Sequence, residues 1–221
     1  MEFGFNHDSF EKAVSNNHPG ASYIRDGIIS PDFWQHSRVK VLFILKESNG
    51  CYEPDLAELI RKAVTHNPKS KLWHRPTFHN IGRWAYGLQN FTSTAPAFEL
   101  AHHHRKTALL SCAFINLKKI TGGRRATEEV QKFAETYQLF LREQIRSISP
   151  DIVVMGGTYN IIKAAVLPEL QKVSHRVHLY DEIPFINAFH PACTAARPDL
   201  YAQVLNSFLQ YTEQSASLIR K

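Results

Sequence analysis

Residues 39–45 form a nearly continuous apolar stretch, interrupted only by Lys40. Strands with one solvated face alternate polar and apolar residues, whereas strands covered on both faces are apolar throughout, as in parallel sheets. Residues 109–115, 152–155 and 185–189 have a similar character. Helical segments separate these stretches, so the pattern predicts βαβ crossovers. We therefore expect an α/β fold with three layers (α/β/α) around a central, mainly parallel, four-stranded sheet.

The helical segments show a different periodicity. Between residues 127 and 148 apolar residues recur at spacings of three and four, with Thr127 suited to cap the helix N-terminus. Further helices are expected at 8–17 and from Pro198 or Asp199 to about residue 214. The sequence contains no repeat and no low-complexity linker. A single domain over 1–221 is predicted, with a core at 39–210 and an N-terminal cap at 1–38.

Several classes of protein are disfavoured. No apolar stretch approaches the ~18 residues that a membrane-spanning helix needs, and residues 1–17 lack the pattern of a signal peptide. We therefore expect a cytoplasmic protein with no membrane partner. The chain has three cysteines and no Cys-x-x-Cys, which argues against a disulfide framework or a zinc site. The consecutive histidines 102–104 would point in different directions on a helix, which favours a solvated face over a metal site.

Positive charge is concentrated in part of the chain. The net charge is +6, and no acidic residue lies between Glu58 and Glu99. That segment interleaves arginine, lysine and histidine with tryptophan, phenylalanine and tyrosine. Cations suit a phosphate backbone and aromatic rings suit unstacked bases. The alternative is a solvated basic face over an aromatic core.

Polar residues follow the predicted strands. Glu47 comes after the first strand, Asn116 after the second, the glycine pair 156–157 after the third and His190 after the fourth. In an open parallel sheet, ligands bind outside the carboxyl ends of the strands. A carboxylate, an amide, a glycine turn and an imidazole are therefore expected at one edge of the sheet.

Each of these residues has a functional and a structural interpretation. Desolvation would raise the pKa of Glu47 and suit it to acid–base or electrostatic work, unless it pairs with Lys46 or caps the next turn. The amide of Asn116 can read a base edge or make a turn. His190, held extended by the following proline, can bond a developing anion or a backbone carbonyl. The glycine pair can form a phosphate nest or a tight turn.

The ordered set resembles the uracil-DNA glycosylase superfamily. Lys-Glu-Ser-Asn-Gly at 46–50 is similar to the Gly-Glu-Ala-Pro-Gly motif of the branch that carries an iron–sulfur cluster, and matches it at Glu47 and Gly50. Other segments resemble family motifs in the same order: 75–82, 114–119, 150–157, 189–191 and 195–197. Two departures matter. The chain lacks the four cysteines of that cluster, and Ser48 stands where other branches place a catalytic aspartate or asparagine.

The resemblance implies a DNA glycosylase that acts on a flipped, deaminated or damaged base during base-excision repair. Glu47 would stabilise the positively charged sugar or orient water, and His190 would bond the departing base. Base contacts are implied for Asn116, Phe78, Gly50 and Ser48, with Trp73 or Tyr52 as alternatives to Phe78 for stacking. Phosphate contacts are implied for Lys46, Lys118, Lys119, Arg124, Arg125 and Arg197.

The implied partner is DNA, either single-stranded or a duplex containing a lesion. The resemblance implies no metal or organic cofactor, and a monomer is expected. Two alternatives remain open at this point. One is a non-catalytic nucleic-acid-binding relative, which the serine at position 48 favours. The other is an unrelated Rossmann-like enzyme that holds a nucleotide phosphate at the glycine pair 156–157.

Overall fold

The computed structural model describes residues 5–49, 53–122 and 127–219. The helices are α1 His7–Asn17, α2 Pro31–His36, α3 Leu56–Thr65, α4 Pro76–Gln89, α5 Phe98–His104, α6 Thr127–Thr136, α7 Gln138–Ile148, α8 Tyr159–Ile161 and α9 Arg197–Ile219. Short 3-10 helices cover Lys71–His74 and Thr107–Ser111, and a π-helical turn covers Ile162–Val166. The strands are β1 Gly27–Ile28, β2 Val41–Asn49, β3 Cys112–Gly122, β4 Ile152–Gly156, β5 Gln171–Lys172, β6 Val177–Tyr180 and β7 Ile183–Ala188.

The described strands form one seven-stranded sheet in the order β1-β3-β2-β4-β7-β6-β5. Its centre, β3-β2-β4-β7, is parallel, as the apolar stretches predict. The prediction of four strands is wrong, because β1 adds to one edge and β6 and β5 to the other, all antiparallel. The two-residue strands β1 and β5 are too short to give a sequence pattern, and β6 has only four residues.

The element boundaries differ from those expected in ways that affect the site. Strand β2 continues to Asn49 and β3 to Gly122, so the polar residues predicted to follow these strands lie inside them. The predicted helix 127–148 is divided at Tyr137, whose φ of −111° and ψ of 25° are not helical. The segment 109–111 is a 3-10 turn instead of the start of β3.

Side chains of β2 alternate between two hydrophobic clusters. Val41, Phe43 and Leu45 pack with residues of α4 and α9, on what we call the first face of the sheet. Leu42 and Ile44 pack with residues of α1, α6 and α7 on the second face. Burial on both sides explains why the strand has no polar alternation. No helix in the described part of the chain is long and apolar enough to cross a membrane.

Candidate functional site

Strands β2 and β3 bring the predicted acid and amide next to each other. Their parallel register pairs Leu45 with Asn116 and Glu47 with Lys118. Alternate residues of a strand share a face, so these four side chains lie toward the first face near the carboxyl edge. The register shifts after Glu47, which marks a local irregularity in the ladder.

Asn116 is 2% exposed and has one unsatisfied polar atom. Its Nδ2 donates to Ser48 Oγ at 2.9 Å, and its backbone N–H donates to Asp26 Oδ2 at 2.8 Å. Its Oδ1 is buried and has no hydrogen-bond partner among the described residues. An unsatisfied buried acceptor costs about 1–3 kcal/mol. A donor from an ordered water, an ion or a ligand would satisfy this atom.

Glu47 is buried beside a cation. Its Oε2 lies 3.3 Å from Lys118 Nζ, an ion pair whose geometry falls short of a hydrogen bond, and Lys118 Nζ also donates to Glu129 Oε2 at 2.9 Å. Burial raises the pKa of Glu47, and the charge of Lys118 opposes that shift. The predicted alternative of a pair with Lys46 is not found. Lys46 instead donates to Thr127 Oγ1 at 3.1 Å.

His190 follows β7 and packs against the turn after β4. Gly157 has a φ of +72°, and a Cβ placed on it would lie 3.0 Å from the His190 Cβ. The imidazole Nδ1 accepts from the Ala192 N–H at 3.1 Å. Burial and the charge of Lys46 lower the pKa of His190. The ring is therefore neutral at pH 7 and carries its proton on Nε2, where it can act as a donor.

The glycine turn is filled by neighbouring side chains. A Cβ on Gly156 would lie 2.3 Å from Leu45 Cδ2 and 3.1 Å from Pro191 Cδ, and Gly157 contacts His190. Such a turn lets strand and loop approach closely. It offers no open nest for a nucleotide phosphate, which disfavours the Rossmann-like alternative.

The carboxyl ends of β3, β2, β4 and β7 share one edge because the four strands are adjacent and parallel. That edge holds Glu47, Asn116 and His190. Phe78, at the start of α4, is buried on the first face with its ring centroid 5.9 Å from that of Phe114. Phe114 precedes Asn116 by two positions and therefore shares its face.

The phosphate contacts expected of two lysines are wrong. Lys119 is fully buried, and its Nζ lies 2.6 Å from Asp26 Oδ1. The side chain of Lys118 is 7% exposed and lies between the carboxylates of Glu47 and Glu129. Neither ammonium group faces solvent, so neither can reach a nucleic-acid backbone in this arrangement.

Two other cations remain available for phosphate contact. Lys46 is half-buried and Arg197, at the start of α9, is exposed. The predicted residues Gly50, Arg124 and Arg125, with the alternative Tyr52, lie outside the described residues.

A basic pocket near this edge was missed from the sequence. It has a volume of about 300 Å³ and is lined by Trp73, His74, Pro76, His79, Asn80, Arg83, His102, Arg105 and Arg197. Asn80 Nδ2 donates to the Pro191 carbonyl at 2.6 Å, which connects the pocket with the loop of His190. The absence of acidic residues between Glu58 and Glu99 was the available signal.

The histidines 102–104 do not form a uniformly solvated face, contrary to expectation. His102 is half-buried and accepts from Arg83, His103 is exposed, and the His104 ring stacks on Tyr86 with centroids 4.9 Å apart. The His103 and His104 rings contact each other with centroids 4.8 Å apart, whereas the His102 ring faces Arg83.

No protein-family model matches this chain, and no curated protein matches it. The function therefore has to be inferred from the residues at the sheet edge. Those residues are a buried carboxylate, a buried amide whose oxygen has no partner in the described part of the chain, and a neutral imidazole whose Nδ1 accepts from the Ala192 N–H.

Proposed function

We propose that this protein is a DNA glycosylase similar to the uracil-DNA glycosylases, with their three-layer α/β/α fold. It would hydrolyse the N-glycosidic bond of a flipped, deaminated or damaged base. One observation carries the proposal. The unsatisfied Oδ1 of Asn116 is buried at the carboxyl edge of the parallel sheet, on the neighbouring strand to the buried carboxylate of Glu47.

The amide of Asn116 matches a particular kind of base edge. An amide presents one acceptor and a donor side by side. Its complement is an N–H next to a carbonyl, which uracil, hypoxanthine and xanthine carry. A base N–H would supply the donor that Oδ1 lacks. The Nδ2 group, which now donates to Ser48, has a second hydrogen for the base carbonyl.

Glu47 and His190 suit the charges that develop during cleavage. As the bond from C1′ to the base nitrogen breaks, the electron pair leaves with the base and the sugar becomes positively charged. The Glu47 carboxylate would stabilise that sugar or orient the water that attacks C1′. The water oxygen bonds to C1′, and the proton that the water loses balances the negative charge of the departing base. The Nε2–H of His190 would bond the base oxygen as negative charge grows there. Low exposure strengthens both interactions.

DNA is the proposed partner, and flipping exposes the base to the site. Phe78 lies on the face of Asn116 and is the proposed stacking residue. Lys46 and Arg197 are the described cations proposed to contact phosphates. The net charge of +6 favours such binding through release of counterions.

A specific observation favours a second candidate, a non-catalytic nucleic-acid-binding protein. The Glu47 carboxylate already has a cationic partner, Lys118, which a second carboxylate, that of Glu129, holds in place. An acid with such a partner can serve structure alone. According to this second candidate, Lys46 and Arg197 would bind a nucleic-acid strand, and Glu47 would take no part in chemistry on it.

The deciding experiment measures base release. Oligonucleotides with one uracil, hypoxanthine or xanthine, single-stranded and in duplex, are incubated with the protein and treated with alkali to cleave abasic sites. We expect Glu47→Gln and His190→Gln each to lower the rate at least 100-fold, the usual effect of removing one charge-stabilising group. Glu58→Gln is the matched control. Like Glu47, Glu58 pairs with a lysine, here Lys62 at 2.8 Å, but it lies on α3 and is not one of the three residues proposed for the site.

The two candidates give opposite results. If the wild-type protein releases no base from any of these substrates, and Glu47→Gln binds DNA as tightly as the wild type, the glycosylase proposal fails and the binding protein is favoured. Circular dichroism melts of each variant separate a lost activity from a lost fold.

A further inference from the structure

Arg83 is buried without a carboxylate partner. It lies on α4, is 2% exposed, and no acid within the described ranges forms an ion pair with it. Its Nη1 donates to Asn80 Oδ1 at 2.5 Å, and its Nε and Nη2 donate to His102 Nδ1 at 3.1 and 2.8 Å. Buried arginines are rare unless an anion accompanies them. The position therefore has hydrogen-bond acceptors but no compensating charge.

Two histidines of the pocket, His79 and His102, accept hydrogen bonds from arginines. His102 Nδ1 accepts from Arg83, and His79 Nδ1 accepts from Arg105 Nε at 2.9 Å. The other nitrogen of His79 faces the Trp73 carbonyl at 2.8 Å, which fixes its proton on Nε2. Burial and the neighbouring arginines lower the pKa of both rings. They bond the guanidinium groups without supplying negative charge.

The positive charges of the pocket act on one another. Burial, together with the charges of Arg105 and Arg197, lowers the pKa of Arg83 to about 10. All three guanidinium groups line the same cavity. The carboxylates of the flanking helices, Glu99 on α5 and Asp199 on α9, are exposed and do not line it. An anion in the cavity would relieve this repulsion.

A second, independent feature of the pocket is an unsatisfied donor. Trp73 lines the pocket and is 9% exposed, and its buried indole Nε1–H has no hydrogen-bond partner among the described residues. The Trp73 ring also carries the Lys106 ammonium group 4.5 Å from its centroid. A ligand for this cavity therefore needs negative charge and several acceptor atoms.

We propose that this basic pocket binds a phosphate group. Phosphate oxygens accept bidentate bonds from guanidinium groups, and the tetrahedral ion has oxygens to spare for an indole or imidazole N–H. The cavity of about 300 Å³ has the size of a small ligand site. The proposal does not rest on glycosylase activity, because the pocket is built from residues other than Glu47, Asn116 and His190.

Two ligands could supply this phosphate group. One is a small molecule, either inorganic phosphate or a nucleoside monophosphate. The other is the backbone of a nucleic-acid strand bound at the sheet edge. Both present the same chemistry to Arg83, Arg105 and Arg197. The hydrogen bond from Asn80 to the Pro191 carbonyl would let an occupied pocket steady the loop of His190.

The test compares inorganic phosphate with chloride at equal ionic strength. Titration of the wild-type protein with phosphate is followed by the imidazole NMR signals of His79 and His102. We expect saturable shifts and a rise in the pKa of both rings, because a bound anion offsets the arginine charges. Chloride should cause neither change. If phosphate and chloride act alike, the proposal is overturned.

Variants locate the binding. Arg197→Gln should weaken phosphate binding about tenfold, the loss of one charge-assisted hydrogen bond, and its exposed position leaves the core intact. Arg146 is an exposed arginine of α7, so Arg146→Gln is the matched control and should bind phosphate as tightly as the wild type does. Arg83→Met should abolish binding. Equal affinity in Arg197→Gln, Arg146→Gln and the wild type would overturn the proposal even if Arg83→Met does not fold.

Two further titrations distinguish the sources, one with a nucleoside monophosphate and one with a single-stranded oligonucleotide that lacks terminal phosphates. Shifts of the His102 signal by the oligonucleotide, reduced in Arg197→Gln, assign the pocket to a backbone phosphate. Shifts by the monophosphate alone assign it to a small ligand. Either result supports a phosphate site, and neither depends on whether a base is released.

Discussion

Replacement of Asp26 by asparagine should destabilise the protein strongly. Asp26 has a side chain that is 1% exposed, and its carboxylate joins three segments. Its Oδ1 accepts from Lys119 Nζ at 2.6 Å and from Gln144 Nε2 at 2.9 Å, and its Oδ2 accepts from the Asn116 N–H at 2.8 Å. Asparagine keeps the shape but removes the charge, and its NH₂ group must face a donor. The Lys119 ammonium is then buried without a counter-ion.

The expected magnitude follows from burial of the pair. Removing one partner of a buried ion pair costs about 3–5 kcal/mol. For a chain of this size each kcal/mol lowers Tm by about 2–4 °C, so Asp26→Asn should lower Tm by about 6–20 °C. Lys119→Met should lower the unfolding free energy by less than Asp26→Asn does, because the Asp26 carboxylate keeps its hydrogen bonds from Gln144 and Asn116. Asp32→Asn, an exposed acid of α2, is the control and should change Tm little.

The pH dependence provides a sharper test. Burial already lowers the pKa of Lys119, although Asp26 opposes that shift. In Asp26→Asn the folded pKa falls further below the unfolded value of about 10.4. Between those two values the unfolded chain binds more protons, so the stability of the variant rises with pH. Urea denaturation from pH 7 to 10 should show that the difference in unfolding free energy between Asp26→Asn and the wild type becomes smaller. A loss under 1 kcal/mol, or a gap independent of pH, would refute the reasoning.

Three further predictions concern the site. Gly157→Ala should lower stability by about 1–2 kcal/mol because its backbone is left-handed, and it should slow base release because the new Cβ displaces His190. Gly20→Ala, with a φ of +81° and open space around it, should show the backbone strain alone. Equal rates of base release in the two variants would exclude the displacement of His190. Lys46→Gln should raise the pKa of His190, measured from its imidazole NMR signals between pH 4 and 8; a lower pKa in the variant would contradict this sign. Burial raises the pKa of the Cys112 thiol, so it should resist thiol reagents in the native protein and react in urea; rapid native labelling would disprove its burial.

The parallel centre of the sheet was predictable because its signal is local. A strand buried on both faces must be apolar along its length, and Leu42 and Phe43 show this by entering opposite clusters. The antiparallel strands β1, β5 and β6 lie at the margins, where burial imposes less on the sequence. Strand β1 pairs with β3, far away in the chain, whereas β6 pairs with β7 and β5 with β6 across short connections. The two-residue strands β1 and β5 are too short to give a pattern, and β6 has only four residues.

The same distinction applies to the site. Chain order alone places Glu47, Asn116 and His190 at one edge, since parallel neighbouring strands end together. The fate of adjacent cations was not predictable. Lys118 and Lys119 are neighbours in sequence, yet strand alternation sends one to the carboxylate of Glu47 and the other to the opposite face.

The sequence by itself determined the α/β class, the parallel core and the edge that carries the polar residues, because hydrophobic periodicity and chain order are local properties. Tertiary structure alone decided which charges are compensated. Asp26 lies 93 positions from the lysine it neutralises, and Arg83 lies 19 positions from the histidine it bonds. Such partners are chosen by strand register and helix packing, which bring together groups that are far apart in the chain.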